Sequence, residues 1–128
     1  TIRVYYEDTD AGGIVYYANY LKFFERARTE WLRALGINQS IFLEQNIGFV
    51  VTKVVMDNKA SAKLDDLLTI TTTIKQLKSA SVVFLQQIVN QHEITLCTVE
   101  IKVACVDLSV VKPCIIPKSI LGALKRVS

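Results

Sequence analysis

Histidine is almost missing from this chain of 128 residues: His92 stands alone, between Gln91 and Glu93. Any Ser-His or Cys-His catalytic arrangement would have to run through it, and its polar setting reads as an exposed turn. Zinc spacing built on histidine is excluded. Cysteine is scarce as well. Cys97, Cys105 and Cys114 form an odd set without Cys-x-x-Cys spacing. Cys97 and Cys105 fall in an apolar strand pattern, where a thiol acts as a small core residue. Reduced structural thiols in a cytoplasmic protein are therefore expected. Gly-x-x-x-x-Gly-Lys and Gly-x-Gly-x-x-Gly phosphate loops are lacking, and so is a nucleophile elbow. No apolar run approaches the roughly 20 residues of a membrane-spanning helix. No secretory leader is expected, because Arg3 and Glu7 interrupt the N-terminal stretch and no cleavage site follows. Nor is there an excess of either charge: 15 Lys and Arg against 12 Asp and Glu give +3. The basic residues are scattered and often alternate with acids. That excludes a nucleic-acid footprint but admits a small anionic ligand.

Apolar residues are plentiful at 51%, enough for a single domain spanning 1–128 around one core. Residues 2–6 read as a strand. Residues 7–13 form a turn of acids and glycines. From about Tyr17, the side chains of Tyr20, Phe24, Ala27, Trp31 and Leu35 recur at helical spacing. Lys22, Glu25, Arg26, Arg28, Glu30 and Arg33 are expected on the opposite, polar side. Gly36 fits the position that closes this helix, and residues 38–40 suit the cap of a short second helix over 41–46. The period then changes. Strands are predicted over 49–57, 68–76, Ser81–Val89 and 97–105, with turns at 78–80 and 90–93. The last three form an antiparallel meander. Pro113 and Pro117 end the sheet region, and Lys118–Val127 reads as a terminal helix. One antiparallel sheet needs an apolar cover for one face, and only the long helix is large enough. The expected fold is α+β, with the sheet curled around that helix. Apolar residues left on the outer face predict an oligomer.

The chemistry-bearing stretch is Glu7-Asp8-Thr9-Asp10-Ala11-Gly12-Gly13. Three acids followed by two glycines give a backbone that bends sharply and approaches a ligand closely. Four readings fit. One is a solvated turn held by Asx hydrogen bonds. A metal cluster of Glu7, Asp8 and Asp10 is weaker, since only Asp65 and Asp66 stand out as further acids. An aspartyl-phosphate Asp-x-Asp requires a parallel α/β domain that this chain is too short to form. The fourth reading uses the helix that follows. Its first N–H groups lack intrahelical partners and carry partial positive charge. Such donors hold a developing oxyanion, an effect of about 3 kcal/mol each, while a nearby carboxylate attacks a carbonyl or activates water.

The stretch from Tyr5 to Tyr16, followed by Asn19-Tyr20 and Phe24-Glu25-Arg26-Ala27-Arg28, resembles the opening of hotdog-fold acyl-CoA thioesterases. Within the 4-hydroxybenzoyl-CoA thioesterase-like group it is most similar to the Tol–Pal-associated YbgC-type branch. Residues 62–67, 103–107 and the Lys112-Pro113…Ile116-Pro117-Lys118 ending extend the resemblance over the chain. The resemblance implies a five-stranded antiparallel sheet wrapped around one long helix. It implies Asp10 as nucleophile or general base, and the backbone N–H of Tyr17 as oxyanion donor. Gly12, Gly13 and Tyr16 would border the thioester. Lys75, Lys78, Lys112 and Lys118 are candidates for the CoA phosphates, with Lys78 and Lys112 preferred. No cofactor is implied. The substrate would be a short- to medium-chain or other small acyl-CoA, with acyl carrier protein as an alternative carrier. The active site would form between subunits of a dimer or dimer of dimers. One position departs from the branch, which has His where this chain has Tyr17. The role ascribed there belongs to the main chain, so activity should survive.

Two other classes stay open at this point. Hotdog domains also hold acyl chains without cutting them, so a non-catalytic acyl-CoA or carrier-protein binder, or a cell-envelope scaffold, competes with the enzyme. Within the enzyme class, a 4-hydroxybenzoyl-CoA hydrolase is the alternative.

Overall fold

The structure, a computed structural model, describes residues 1–10 and 12–128, so Ala11 of the acid–glycine stretch lies outside the described residues. The long helix α1 (Asn19–Ala34) forms where aromatic residues recur every three or four positions. Tyr20, Phe23 and Phe24 are fully buried along it. Burial of each contributes about 1.5–3 kcal/mol. Gly36 closes α1 as expected. Its φ is +85°, its N–H donates to Arg33 O, and the next N–H, from Ile37, donates back to Leu32 O. That is the paired 5→2 and 6→1 closure that favours glycine. Asn38 then caps α2 (Gln39–Glu44), its side chain accepting from the Ser40 N–H at 3.1 Å.

The remaining elements are β1 (Ile2–Arg3), β2 (Ile47–Asn58), β3 (Leu67–Leu77), β4 (Ser81–Val89), β5 (Thr95–Asp107), β6 (Lys112–Pro113) and α3 (Lys118–Val127). They build one antiparallel sheet in the order β1-β3-β4-β5-β2, and the short β6 adds to the end of β5. The inner face is legible in β4, where Val82, Phe84, Gln86 and Ile88 are buried in alternation. Val99, Ile101, Val103 and Cys105 continue that face on β5. The α1 helix lies across it, with Trp31 meeting Phe84 edge-on at 5.9 Å. A second cluster gathers Ile37, Cys105, Ile116, Ile120, Ala123 and Leu124, so α3 closes the far end of the core.

Three local expectations change. The N-terminal strand keeps only two residues and gives way to a 3-10 turn over Tyr6–Asp8. The α1 helix begins at Asn19, so Tyr17 precedes it. Arg28, assigned to the polar side of α1, is turned inward and only 8% exposed. The cause is Gln86 on β4, whose amide oxygen accepts from Arg28 Nη1 at 3.0 Å. Gln86 Nε2 in turn donates to Phe24 O and Thr72 Oγ1. A buried guanidinium is tolerated where such a polar partner waits for it.

Candidate active site

The acid–glycine stretch is a tight, fastened loop. Asp10 N–H donates to Ile14 O and Gly13 N–H to Asp10 O, each at 3.0 Å. Gly13 adopts φ +74°, a region that carries a steric cost for other residues. Gly12 does not need such freedom, but a Cβ there would stand 3.4 Å from Asp10 Oδ1. Two connections hold the loop against the β2–β3 link: Val15 N–H to Ala62 O at 2.8 Å, and Leu64 N–H to Gly13 O at 3.0 Å. A third ties it to the helix, since Asn19 Nδ2 donates to Asp8 O at 2.9 Å. Tyr20, one residue on and buried, accepts the Ala62 N–H at its hydroxyl at 2.9 Å.

The three acids have different surroundings. Asp8 Oδ2 accepts the Tyr5 N–H and so serves its own turn. Glu7 is exposed. Asp10 has one oxygen, Oδ1, held by the Gly12 N–H at 2.9 Å. Among the described residues nothing donates to its other oxygen. The carboxylate is thus oriented at one atom and open at the other.

The helix start is bare. Ala18 occupies the cap position of α1, and no side chain caps the helix. Asn19, Tyr20 and Leu21 donate to the carbonyls of Tyr16, Tyr17 and Ala18. The N–H groups of Tyr17 and Ala18 have no acceptor among the described residues. Unpartnered donors at a helix N-terminus favour an anion or a polarised oxygen. Beside them opens a cleft of about 260 Å³ lined by Val15, Tyr17, Tyr20, Asn58, Lys59, Ala60 and Ser61. Tyr16 and Tyr17 are about half exposed, their rings 5.0 Å apart. Asp10 does not line this cleft within the single chain.

The basic candidates lie elsewhere. Lys78 sits in the β3–β4 turn and Lys112 in β6, opposite Asp107. These belong to the end of the sheet where Ile116 N–H meets Ser79 O. The Asp10 loop packs at the other end, against residues 62–64. The 11 residues of β3 separate the two ends by about 33 Å. Lys75 pairs with Glu100, and Lys118 is exposed at the start of α3. Within one chain, therefore, Asp10, Gly12 and Gly13 share one fastened loop and Tyr16 and Tyr17 follow it at the helix start, whereas Lys78 and Lys112 lie at the other end of the sheet.

Asn19 was expected at the helix start but not as a tie to the acid loop, and Lys59 was not expected there. Asn19 carried a local signal, being the first residue of the helical pattern. Lys59 had none, because only the folding of β2 back along the sheet brings it there. His92 is exposed in the β4–β5 turn, where Asn90 Oδ1 accepts its N–H. Among the described residues no three His, Cys, Asp or Glu side chains gather around one point. Among the described residues no helix is long and apolar enough to cross a membrane.

Known proteins carry the same pattern. The profile of the thioesterase-like superfamily matches residues 4–124. A relative named acyl-CoA thioesterase YbgC from Haemophilus influenzae is 49% identical over 127 residues, spanning 98% of this chain and 93% of its own. A solved structure of a probable thioesterase from Bartonella henselae is 37% identical with a TM-score of 0.84, covering 91% of this chain and 95% of that one. Another, of a gentisyl-coenzyme A thioesterase, is 30% identical with a TM-score of 0.87, covering 96% of both chains. The match over residues 4–124 and the 49% identity over nearly the whole chain make one assignment: the chain belongs to the thioesterase-like superfamily, in its YbgC branch.

Proposed function

We propose that this chain hydrolyses acyl-CoA thioesters to the free acid and CoA, with short- to medium-chain or other small acyl groups as substrates. The observation that carries the reading is the Asp10 loop fastened to an uncapped helix start, with one carboxylate oxygen held and the other open. In the reaction the thioester carbonyl points its oxygen at the N–H groups of Tyr17 and Ala18. Those donors stabilise the charge that grows on it. Asp10 acts as nucleophile or as the base that takes a proton from water. The CoA thiolate departs readily, so a strong general acid is not required. Gly12, Gly13 and Tyr16 border the reacting group. The Tyr17 side chain replaces the imidazole of the branch, and the main-chain role is unaffected by that exchange. The reaction needs no cofactor.

The assembly is a homo-oligomer, a dimer or a dimer of dimers. The β2 strand lies at the sheet edge with Val50, Val51, Val54 and Val55 each 40–52% exposed, an open apolar edge of the kind that pairs with another strand. Antiparallel pairing of two β2 edges reverses one sheet against the other. The Lys78 and Lys112 end of one copy then lies at the Asp10 end of the next. That arrangement would bring basic groups to the CoA phosphates and extend a cleft that is too small for CoA in one chain. Acyl carrier protein is an alternative carrier, and the site of action is the cytoplasm.

The test is Asp10→Asn. The variant should keep its circular dichroism spectrum and lose CoA release from a panel of acyl-CoAs by at least about 100-fold, the scale of a lost acid–base or nucleophilic group. A fully active, folded Asp10→Asn protein would overturn the assignment. Aromatic acyl-CoA is the second reading. It is favoured by the exposed Tyr16–Tyr17 ring pair at the helix start, and the same panel separates it by including a hydroxybenzoyl thioester.

A further inference from the structure

Two of the three cysteines meet in the fold. Cys105 Sγ and Cys114 Sγ are 3.2 Å apart. The β5–β6 register pairs Val106 with Pro113 and Asp107 with Lys112. One step further sets Cys105 opposite Cys114, and the Cys114 N–H donates to Cys105 O at 2.9 Å. Directly opposed residues on antiparallel strands have Cα atoms about 4.5–5.5 Å apart, inside the range a disulfide spans. The flanking backbone is pinned as well, Cys105 N–H to Ala80 O and Ile116 N–H to Ser79 O. The contact therefore follows from the ladder and does not depend on a chance rotamer. A covalent bond at about 2.05 Å requires the sulfurs to close by roughly 1 Å.

We propose that Cys105 and Cys114 are an oxidisable dithiol, a modification site at which a hydroperoxide closes a reversible intramolecular disulfide across the β5–β6 hairpin. Exposure divides the roles. Cys114 is half-buried and Cys105 fully buried, so the oxidant reaches Cys114 first. The Cys114 thiolate attacks one peroxide oxygen, the O–O bond breaks, and water or an alcohol leaves after taking a proton. Cys114 is then a sulfenic acid. The Cys105 sulfur attacks that sulfur, the S–O bond breaks, and the departing hydroxide leaves as water with the Cys105 proton. Two thiols have become one disulfide, and the peroxide has taken two electrons. Burial, with the Cys114 contact adding to it, pushes the Cys105 thiol up to about 12, so Cys105 is not the thiol that meets the oxidant first. Cys97 cannot take part. It lies on β5 opposite Ile88 and Asn58, eight residues and roughly 26 Å of strand from Cys105. The bond would fix β6 to β5 and, through it, the chain leading to Ile116 and α3. In a reducing compartment such bonds are transient and responsive, not structural.

The measurement is a thiol count on the whole protein, reduced, desalted, treated with hydrogen peroxide, then unfolded and alkylated. Three alkylatable thiols should fall to one and return to three with dithiothreitol. Lys112 precedes Pro113, so trypsin leaves both cysteines on the single peptide 103–118. That peptide should be lighter by two hydrogens and refuse alkylation. Cys97→Ser should lose both of its remaining thiols, while Cys114→Ser should keep both. Three outcomes would each overturn the proposal: Cys114 passing to sulfinic acid while Cys105 still alkylates, a bond to Cys97, or a bond between two chains.

Discussion

Gly13 and Tyr20 show how single residues keep the Asp10 loop in place. With φ at +74°, Gly13→Ala should cost about 1–2 kcal/mol, since a Cβ crowds the following carbonyl in that region. Activity should fall more steeply than stability, because the strain is applied at the turn that aims Asp10. Denaturant melts beside CoA-release rates check this. Tyr20→Phe removes the acceptor for the buried Ala62 N–H, and an orphaned buried donor costs about 1–3 kcal/mol. Alkaline pH acts through Cys97 and through Tyr20 itself. Burial raises the Cys97 thiol from 9.0 to about 11 and moves the Tyr20 phenol up as well. Both are neutral in the fold over a range where the unfolded chain has begun to ionise. The unfolded state then binds fewer protons, so stability is intact below pH 9 and declines as pH rises through 9 to 11. Melting temperature across that range should drop, and drop less steeply in Cys97→Ala than in the parent.

At the scale of elements, α1 and the sheet are joined by one polar knot in an apolar interface. Gln86 reaches Arg28, the Phe24 carbonyl and Thr72 at once. Burial lowers the Arg28 guanidinium from its usual range, and nearby Glu25 offsets part of that. Gln86→Leu should destabilise by about 3–5 kcal/mol, because it leaves a buried charge without its amide partner. Adding Arg28→Met should recover most of the loss, as an apolar pair of similar volume often matches a buried polar one. Equal and additive losses in the two single variants would count against this coupling. The helical pattern put Arg28 on the wrong side because periodicity weighs residue type alone. It cannot see that a glutamine 58 positions later supplies a polar pocket.

At the scale of the whole molecule, the decisive feature is the unpaired β2 edge. Val55→Lys places a charge on that edge at a residue that is 52% exposed. Lysine blocks edge-to-edge pairing. On the proposed assembly the variant should elute as a monomer and lose CoA release, while the monomer keeps its fold. Light scattering and the thioesterase assay read the two effects side by side. An active monomer would place the complete site within one chain.

The order of the long elements was legible because each rests on a local signal, whereas the two-residue β6 over Lys112–Pro113 formed where the sheet was expected to end. Aromatic spacing marked α1, Gly36 marked its end, and two-residue alternation marked β4 and β5. The acid–glycine loop taken alone left four readings open, and the resemblance is what singled out Asp10. What the sequence determined by itself was the helix and the meander, both features of short-range order. Tertiary structure alone decided which acid is left open, which arginine turns inward, which two cysteines touch, and that Lys78 and Lys112 lie at the opposite end from Asp10. The physical reason is that these depend on contacts between residues far apart in the chain, and sheet register and helix docking set those contacts.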